Sequence, residues 1–184
     1  MPQESDTFKS SEWLKSKIRT VPHWPKFGVM FRDITTLLQD PQAFNYCIAK
    51  FKEYCFNKNI DKIAGIESRG FIFGAALANE LNLPFVLIRK PSKLPAETVS
   101  QEYKLEYGTD KIEIHKDAVS IGDNVLLIDD LLATGGTMKA ACELVEKLNG
   151  NVAGCAFVIE LPELKGREKL ADYNAFSLVE FEGE

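Results

Sequence analysis

What the chain lacks narrows its function before any motif is considered. Cysteine is scarce: Cys47, Cys55, Cys142 and Cys155 form no C-x-x-C pair and fall inside expected regular elements. That speaks against a disulfide framework and a zinc site, and for buried thiols in a reducing cytoplasm. Positive charge is not in excess, with 22 basic against 27 acidic residues and a formal net charge of −5. General attraction to nucleic acid or to an anionic membrane is therefore not expected, and any phosphate chemistry has to be local. No apolar run approaches the length of a membrane span. The opening MPQESDTFKSSEW carries acids and no apolar core, unlike a secretory signal or an Arg-rich transit peptide. Histidine is limited to His23 and His115, far apart and near no Cys or Ser with triad character, so neither is given a catalytic role. Internal repeats, low-complexity tracts and a visible linker are missing, and 184 residues that are 45% apolar suffice for one sizeable core. A single domain over residues 1–184 is expected.

What is present is an alternation of strand and helix patterns. Asp40-Pro41 reads as a helix start, and Phe44, Cys47, Ile48, Phe51 and Cys55 follow at helical spacing to about residue 56. Residues 62–66 read as a short apolar strand and 70–81 as a Gly/Ala-rich helix with Phe73, Ala76 and Leu77 on one face. Residues 85–88 make a second strand, expected to be covered on both faces because its apolar run is continuous. A third strand covers 124–130; Met138, Ala141, Cys142, Val145 and Leu148 mark the helix after it, which Asn149-Gly150 closes. A fourth covers 152–160. This order implies right-handed βαβ units and an α/β fold with a mainly parallel central sheet flanked by helices. Between Pro91 and Asp117 the pattern breaks into polar residues and two prolines, then 102–107 and 111–115 around Gly108-Thr109-Asp110. That stretch reads as a flexible arm over about 91–117 leading into a hairpin. The segment before Asp40 has the least legible pattern.

The densest chemical signal is VLLIDDLLATGGT over 125–137, an apolar strand ending in Asp129 and Asp130, then a small-residue turn opening a helix. Ligands of parallel α/β sheets sit at the carboxyl ends of the strands. In Ala133, Thr134, Gly135, Gly136 and Thr137, glycines let backbone amides converge, two hydroxyls can donate, and a helix N-terminus adds partial positive charge, which together suit a phosphate. The turn is not a P-loop, because no Gly-Lys-[Ser/Thr] follows; nor do Gly65, Gly70 and Gly74 fit the dinucleotide spacing. Without its own lysine it suits a terminal monophosphate better than a triphosphate under attack. The plainer alternative is that the aspartates end a strand and Thr134 caps a helix.

The 125–137 segment resembles the phosphoribosyl pyrophosphate motif of the type I phosphoribosyltransferases. Further matching segments are 28–34 (GVMFRDI), 67–71 (ESRGF), 87–90 (LIRK), Leu94-Pro95, 105–108 (LEYG) and 164–170 (LKGREKL). Over about residues 24–181 they resemble the adenine-using branch of the family. The Phe31-Arg32-Asp33-Ile34 piece discriminates best, since hypoxanthine–guanine enzymes carry a different base-binding hood. The resemblance implies the type I fold with a small N-terminal hood over about 1–36. It implies transfer of the 5-phosphoribosyl group from phosphoribosyl pyrophosphate to adenine, giving AMP and pyrophosphate in purine salvage.

It also implies roles. Asp129 and Asp130 would accept from the ribose 2- and 3-hydroxyls and stabilise positive charge developing on the sugar; residues 133–137 would bind the 5-phosphate. Glu67, Ser68, Arg69 and Gly70, where the family often has a non-proline cis peptide, would turn amides and the Arg69 guanidinium towards pyrophosphate. Taken alone, Arg69 could be a surface ion pair. Arg89 and Lys90 end a strand on the ligand side; in the family the arginine reaches pyrophosphate in the neighbouring subunit, so a homodimer is implied. By themselves they read as a solvated strand end. Met30 and Arg32 would offer mainly backbone hydrogen bonds to adenine, with Phe31 stacking on one face and Leu161 covering the other, although Phe31 could be ordinary core. The arm would close over the site and exclude water, bringing in Glu106, to accept the N9 proton, and Tyr107; both also have an ordinary reading as exposed hairpin residues. Mg²⁺ would come with phosphoribosyl pyrophosphate, held mainly by substrate oxygens with no direct protein cage. Two rivals remain open: a related enzyme using xanthine, guanine or hypoxanthine, and a regulator that senses phosphoribosyl pyrophosphate while binding nucleic acid. The second would carry a basic appendage, and the residues before Gly28 hold no basic stripe.

Overall fold

A computed structural model describes residues 10–104 and 108–183. The chain enters through a short helix, α1 (Ser11–Lys15), whose first turn is capped by the Ser10 side chain accepting from the Trp13 amide. A hairpin follows, β1 (Arg19–Pro22) antiparallel to β2 (Met30–Asp33). After α2 (Thr35–Leu38) comes α3 (Pro41–Cys55), where the Asp40 carboxylate accepts from the Gln42 and Ala43 amides and Pro41 sits in the first turn. That is the start expected from Asp40-Pro41. β3 (Lys62–Ile66), α4 (Gly70–Leu81) and β4 (Phe85–Ile88) make one βαβ unit. A second hairpin, β5 (Thr98–Lys104) with β6 (Thr109–His115), precedes the other unit: β7 (Asn124–Leu132), α5 (Gly136–Lys147) and β8 (Asn151–Glu160). A 3-10 turn at Pro162–Leu164, α6 (Gly166–Lys169) and β9 (Ala175–Glu180) follow.

The central sheet has the order β4-β3-β7-β8-β9 with every pairing parallel. Its middle strands are apolar at successive residues because both faces are covered. Val125 and Leu127 join one buried cluster with α5 and β6, while Leu126 and Ile128 join the other with α3 and α4. Each such fully buried side chain contributes about 1.5–3 kcal/mol, so the sheet that carries the site is also the most firmly held part of the chain. β4 differs from expectation. It lies at the sheet edge, and Val86 and Ile88 are buried while Leu87 is 39% exposed, so it is covered on one face only.

The stretch over 91–117 makes several contacts with the rest of the chain. Ile112 and Ile114 on β6 are buried in the α5 cluster, Lys147 Nζ donates to the Ser100 carbonyl at 3.0 Å, and Arg89 and Glu113 exchange backbone hydrogen bonds of 2.9 and 2.7 Å. The hairpin is thereby fastened to α5 and to the end of β4. Glu106 and Tyr107 lie outside the described residues. Among the described residues no helix is long and apolar enough to cross a membrane.

Candidate functional site

Strand register brings the chosen residues together. Gly65 pairs with Ile128 and Ile66 with Ile88, so Glu67, just after β3, falls level with Asp130 of β7 and with Arg89 after β4. On the other side Leu132 pairs with Glu160, and the Leu161 amide donates to the Leu132 carbonyl at 2.9 Å. The carboxyl ends of four neighbouring strands thus place residues 67–70, 89–90, 129–137 and 161 along one rim.

The turn after β7 has the features of an anion cradle. Gly135 is left-handed, with φ of 75°, and α5 begins with no side-chain cap. The plainer reading, in which Thr134 caps the helix, therefore fails, and the first amides of α5 are left without a side-chain acceptor. Asp129, Ala133, Thr134, Gly135, Gly136 and Thr137 line a recess of about 80 Å³ at this point.

The two carboxylates are held in an unfavourable setting for charge. Asp130 is 3% exposed, and burial raises its pKa against the pull of Arg69. Asp129 is raised further, first by burial and then by the neighbouring Asp130 charge, although the Asp130 amide donates to its Oδ1 at 2.9 Å. Arg69 Nε stands 3.0 Å from Asp130 Oδ2, yet its N–H does not point along that line, and among the described residues no donor satisfies this buried oxygen. A buried acceptor left open costs stability and invites a hydroxyl from a ligand. Gly70 is what lets α4 come this close: a methyl there would meet the Ile128 carbonyl at 2.7 Å and Asp129 Oδ1 at 3.0 Å.

Arg69 also lies over Phe31, 5.4 Å from the ring centroid, so one guanidinium bridges the hood and the aspartates. Phe31 is half-buried, with Trp24 edge-on at 4.4 Å. It is part neither of the central core nor of open surface. Met30 is half-buried on the same strand, and β2 pairs only with β1 among the described strands. The Arg32 side chain turns away: Nη1 donates to Thr20 Oγ1 at 2.7 Å and Nη2 to the Glu182 and Gly183 carbonyls at 2.9 and 3.1 Å.

The Glu67-Ser68 peptide is cis, as the resemblance implied. Within this chain Arg89 is bound to Glu67 in a fork, Nε and Nη2 each donating at 3.1 Å, and the Lys90 amide donates to Glu67 Oε2 at 3.0 Å. Arg89 beside it holds the Glu67 carboxyl below its ordinary range. Lys90 is exposed, its Nζ 4.0 Å from Asp110 Oδ2.

Two features escaped the sequence reading. Tyr103 on β5 donates to Asp110 Oδ2 at 3.2 Å and lies against the Thr137 hydroxyl, with burial raising its pKa. The turn at Gly166 packs on the back of the 133–137 turn. The 164–170 segment belongs to the resemblance, but a helix as short as α6 leaves no periodicity, so nothing in the sequence pointed to what it touches.

Comparison with known proteins agrees with this geometry. Residues 33–183 match the phosphoribosyl transferase domain family. The chain is 58% identical over 171 residues, covering 93% of it and 99% of its relative, to the adenine phosphoribosyltransferase of Desulfosudis oleivorans. It superposes with a TM-score of 0.91 on the crystal structure of adenine phosphoribosyltransferase from Thermoanaerobacter pseudethanolicus, at 52% identity over 94% of this chain and all (100%) of that one. The Saccharomyces cerevisiae enzyme, crystallised with an imino-altritol bisphosphate and adenine, is 42% identical with a TM-score of 0.87, covering 92% of this chain and 98% of that chain. By sequence, fold and the arrangement of its strand ends, the chain belongs to the adenine phosphoribosyltransferases of the phosphoribosyl transferase domain family.

Proposed function

We propose that the chain transfers the 5-phosphoribosyl group of phosphoribosyl pyrophosphate to adenine, releasing pyrophosphate and giving AMP, in cytoplasmic purine salvage. The observation that carries this reading is the uncapped, left-handed turn at 133–137 set beside the half-buried Asp129 and the buried Asp130, one oxygen of which no donor satisfies among the described residues.

The division of labour follows from the rim. Amides and hydroxyls of Ala133, Thr134, Gly135, Gly136 and Thr137 hold the 5-phosphate, and Asp129 and Asp130 accept from the ribose hydroxyls. As the bond to pyrophosphate breaks, positive charge gathers on the sugar, and fixed carboxylates in a dry setting stabilise it without reorganising. The turn over 67–70 offers amides and the Arg69 guanidinium to the departing pyrophosphate. Arg69 is 36% exposed and can swing between that anion and Asp130. Glu67 aims Arg89 through its fork, and Arg89 with Lys90 serves pyrophosphate in the neighbouring subunit of a homodimer. Backbone groups of Met30 and Arg32 read the adenine edge, Phe31 stacks and Leu161 covers. Glu106 takes the N9 proton and Tyr107 completes the closed arm, which keeps water from the ribosyl centre.

A magnesium ion held by waters and substrate oxygens would fit here with Asp129 and Asp130 in its outer shell. When bound, the ion neutralises charge accumulating on pyrophosphate. Release of pyrophosphate on mixing the protein with adenine, phosphoribosyl pyrophosphate and Mg²⁺ tests substrate, cofactor and reaction together. Turnover of guanine or hypoxanthine with none of adenine would end the adenine assignment.

A further inference from the structure

Behind the 133–137 turn lies a contact that none of these roles uses. Gly166, the first residue of α6, stands with its backbone against that of the turn. A methyl added to it would overlap the Ala133 carbonyl oxygen and come within 2.9 Å of Leu132 Cδ1 and 3.0 Å of the Gly135 nitrogen. The contact is reciprocal, since a methyl on Gly135 would overlap the Gly166 carbonyl.

α6 has only 4 residues and cannot hold itself in place by its own hydrogen bonds. Arg167 holds it. Its Nε donates to Glu160 Oε1 at 2.9 Å, Nη2 to Glu160 Oε2, and Nη1 to the Ala175 carbonyl at 2.7 Å, while Ser177 Oγ donates to Glu160 Oε2 at 2.7 Å. Glu160 is 4% exposed at the end of β8, paired in register with Leu132. A planar guanidinium on a buried carboxylate fixes direction as well as distance. The fork therefore ties α6 to the end of β8 and the first half of β9, and through β8 to β7.

We infer that Gly166 and the Arg167–Glu160 pair are positioning residues of the phosphate cradle: α6 is a fixed backstop that sets the path of the turn, and so its affinity for the ribose 5-phosphate group, without touching the ligand. The inference rests on the reading of residues 133–137 given above. A turn rich in glycine has wide conformational freedom of its own. Amides that converge on one anion lose their hold when the chain carrying them shifts by a fraction of an ångström. Something outside the turn has to supply its rigidity, and the backbone contact at Gly166 does so.

The test is calorimetric binding of ribose 5-phosphate together with the KM of each substrate, in Gly166→Ala, Arg167→Lys and Thr137→Ala. Gly166→Ala is expected to weaken ribose 5-phosphate and to raise the KM for phosphoribosyl pyrophosphate roughly ten-fold or more, while the KM for adenine stays within about two-fold. Arg167→Lys, which keeps the charge and loses the fork, should show the same split at roughly three-fold, and it carries the test alone if Gly166→Ala does not fold. Wild-type affinity for ribose 5-phosphate in the variants that fold overturns the inference, as does an equal rise in both KM values. Thr137→Ala separates the two levels. Weakened binding there with none in the other two rejects the backstop and leaves the cradle standing; unchanged binding in Thr137→Ala removes the cradle and the backstop together.

Discussion

The turn at 133–137 stands on β7 and α5, where Leu126, Leu127, Ile128, Met138 and Ala141 are at most 3% exposed, whereas the hood is a two-stranded hairpin whose Trp24 and Phe27 are 51% and 87% exposed. Within the hairpin Arg19 reaches Asp33 and Arg32 reaches Thr20 and the carbonyls of Glu182 and Gly183, while Leu14, Ile18 and Ile34 on either side of it are buried. The contrast matches what each half is proposed to hold. Groups that meet developing charge work only if they cannot relax, and the core prevents relaxation. A base brings its own flat apolar faces and a few hydrogen-bonding edges, so a lighter surface element suffices and can open to admit it. Arg69, between Asp130 and Phe31, is the side chain where the halves meet.

The sharpest way to break this contrast is Asp130→Asn. The fold should persist, with an unchanged circular dichroism spectrum, and turnover should fall roughly 10²–10³-fold, the scale of one preorganised electrostatic group. Near-normal turnover would take Asp130 out of the site. In the hood the corresponding change is smaller and of a different kind. Phe31→Ala should raise the KM for adenine about ten-fold through lost stacking, with ribose 5-phosphate affinity unchanged by calorimetry; a parallel loss of both ligands would show that the halves are not separable.

Stability should move in opposite directions in the two regions. Burial, then the Asp130 charge, raises the pKa of Asp129 above its unfolded value. Its contribution to folding is therefore fully present below the ordinary carboxylate pKa and is lost as pH rises, so at neutral pH the ionised group is a net cost. Asp129→Asn should raise the thermal midpoint at pH 7, by about 2–4 °C per kcal/mol recovered in a chain of this size. The gain should shrink as pH is lowered towards 4, and calorimetric scans across that range check it. Asp33 has the reverse sign. Hydrogen bonds from Arg19 and Thr35 hold its pKa down at about 2, so its contribution is present above the ordinary carboxylate pKa and lost as pH falls towards 2. Asp33→Asn should cost about 1 kcal/mol of stability in urea titrations near neutral pH, with a difference that fades in acid. An equal cost at both pH values would mean that charge is not what fastens the hood.

The contrast also explains what could be seen in the sequence. β3, α4, β7, α5 and β8 were legible because apolar runs and helical spacing report burial on a covered sheet, and the same residues carry the aspartates and the turn. β9 was missed: Ala175, Phe176, Ser177 and Leu178 are all half-buried, so no alternation marks it. β1 and β2 have 4 residues each, too short for an alternation to stand out, and pair with each other. The buried side chains that anchor the 98–115 hairpin include Ile112 and Ile114, too few to stand out in a polar stretch. Site residues whose role is their own chemistry, such as Asp129, Asp130 and Gly135, could be chosen by type. Gly166 and Tyr103 could not, because their significance lies in which distant backbone or hydroxyl they touch.

The most direct measurement is a crystal structure of the protein with AMP. The nucleotide's phosphate is expected on the amides of residues 133–137, its ribose hydroxyls on Asp129 and Asp130 with Asp130 Oδ2 now accepting a hydrogen bond, and its base against Phe31. A nucleotide bound elsewhere, with that turn holding no phosphate, would contradict the account.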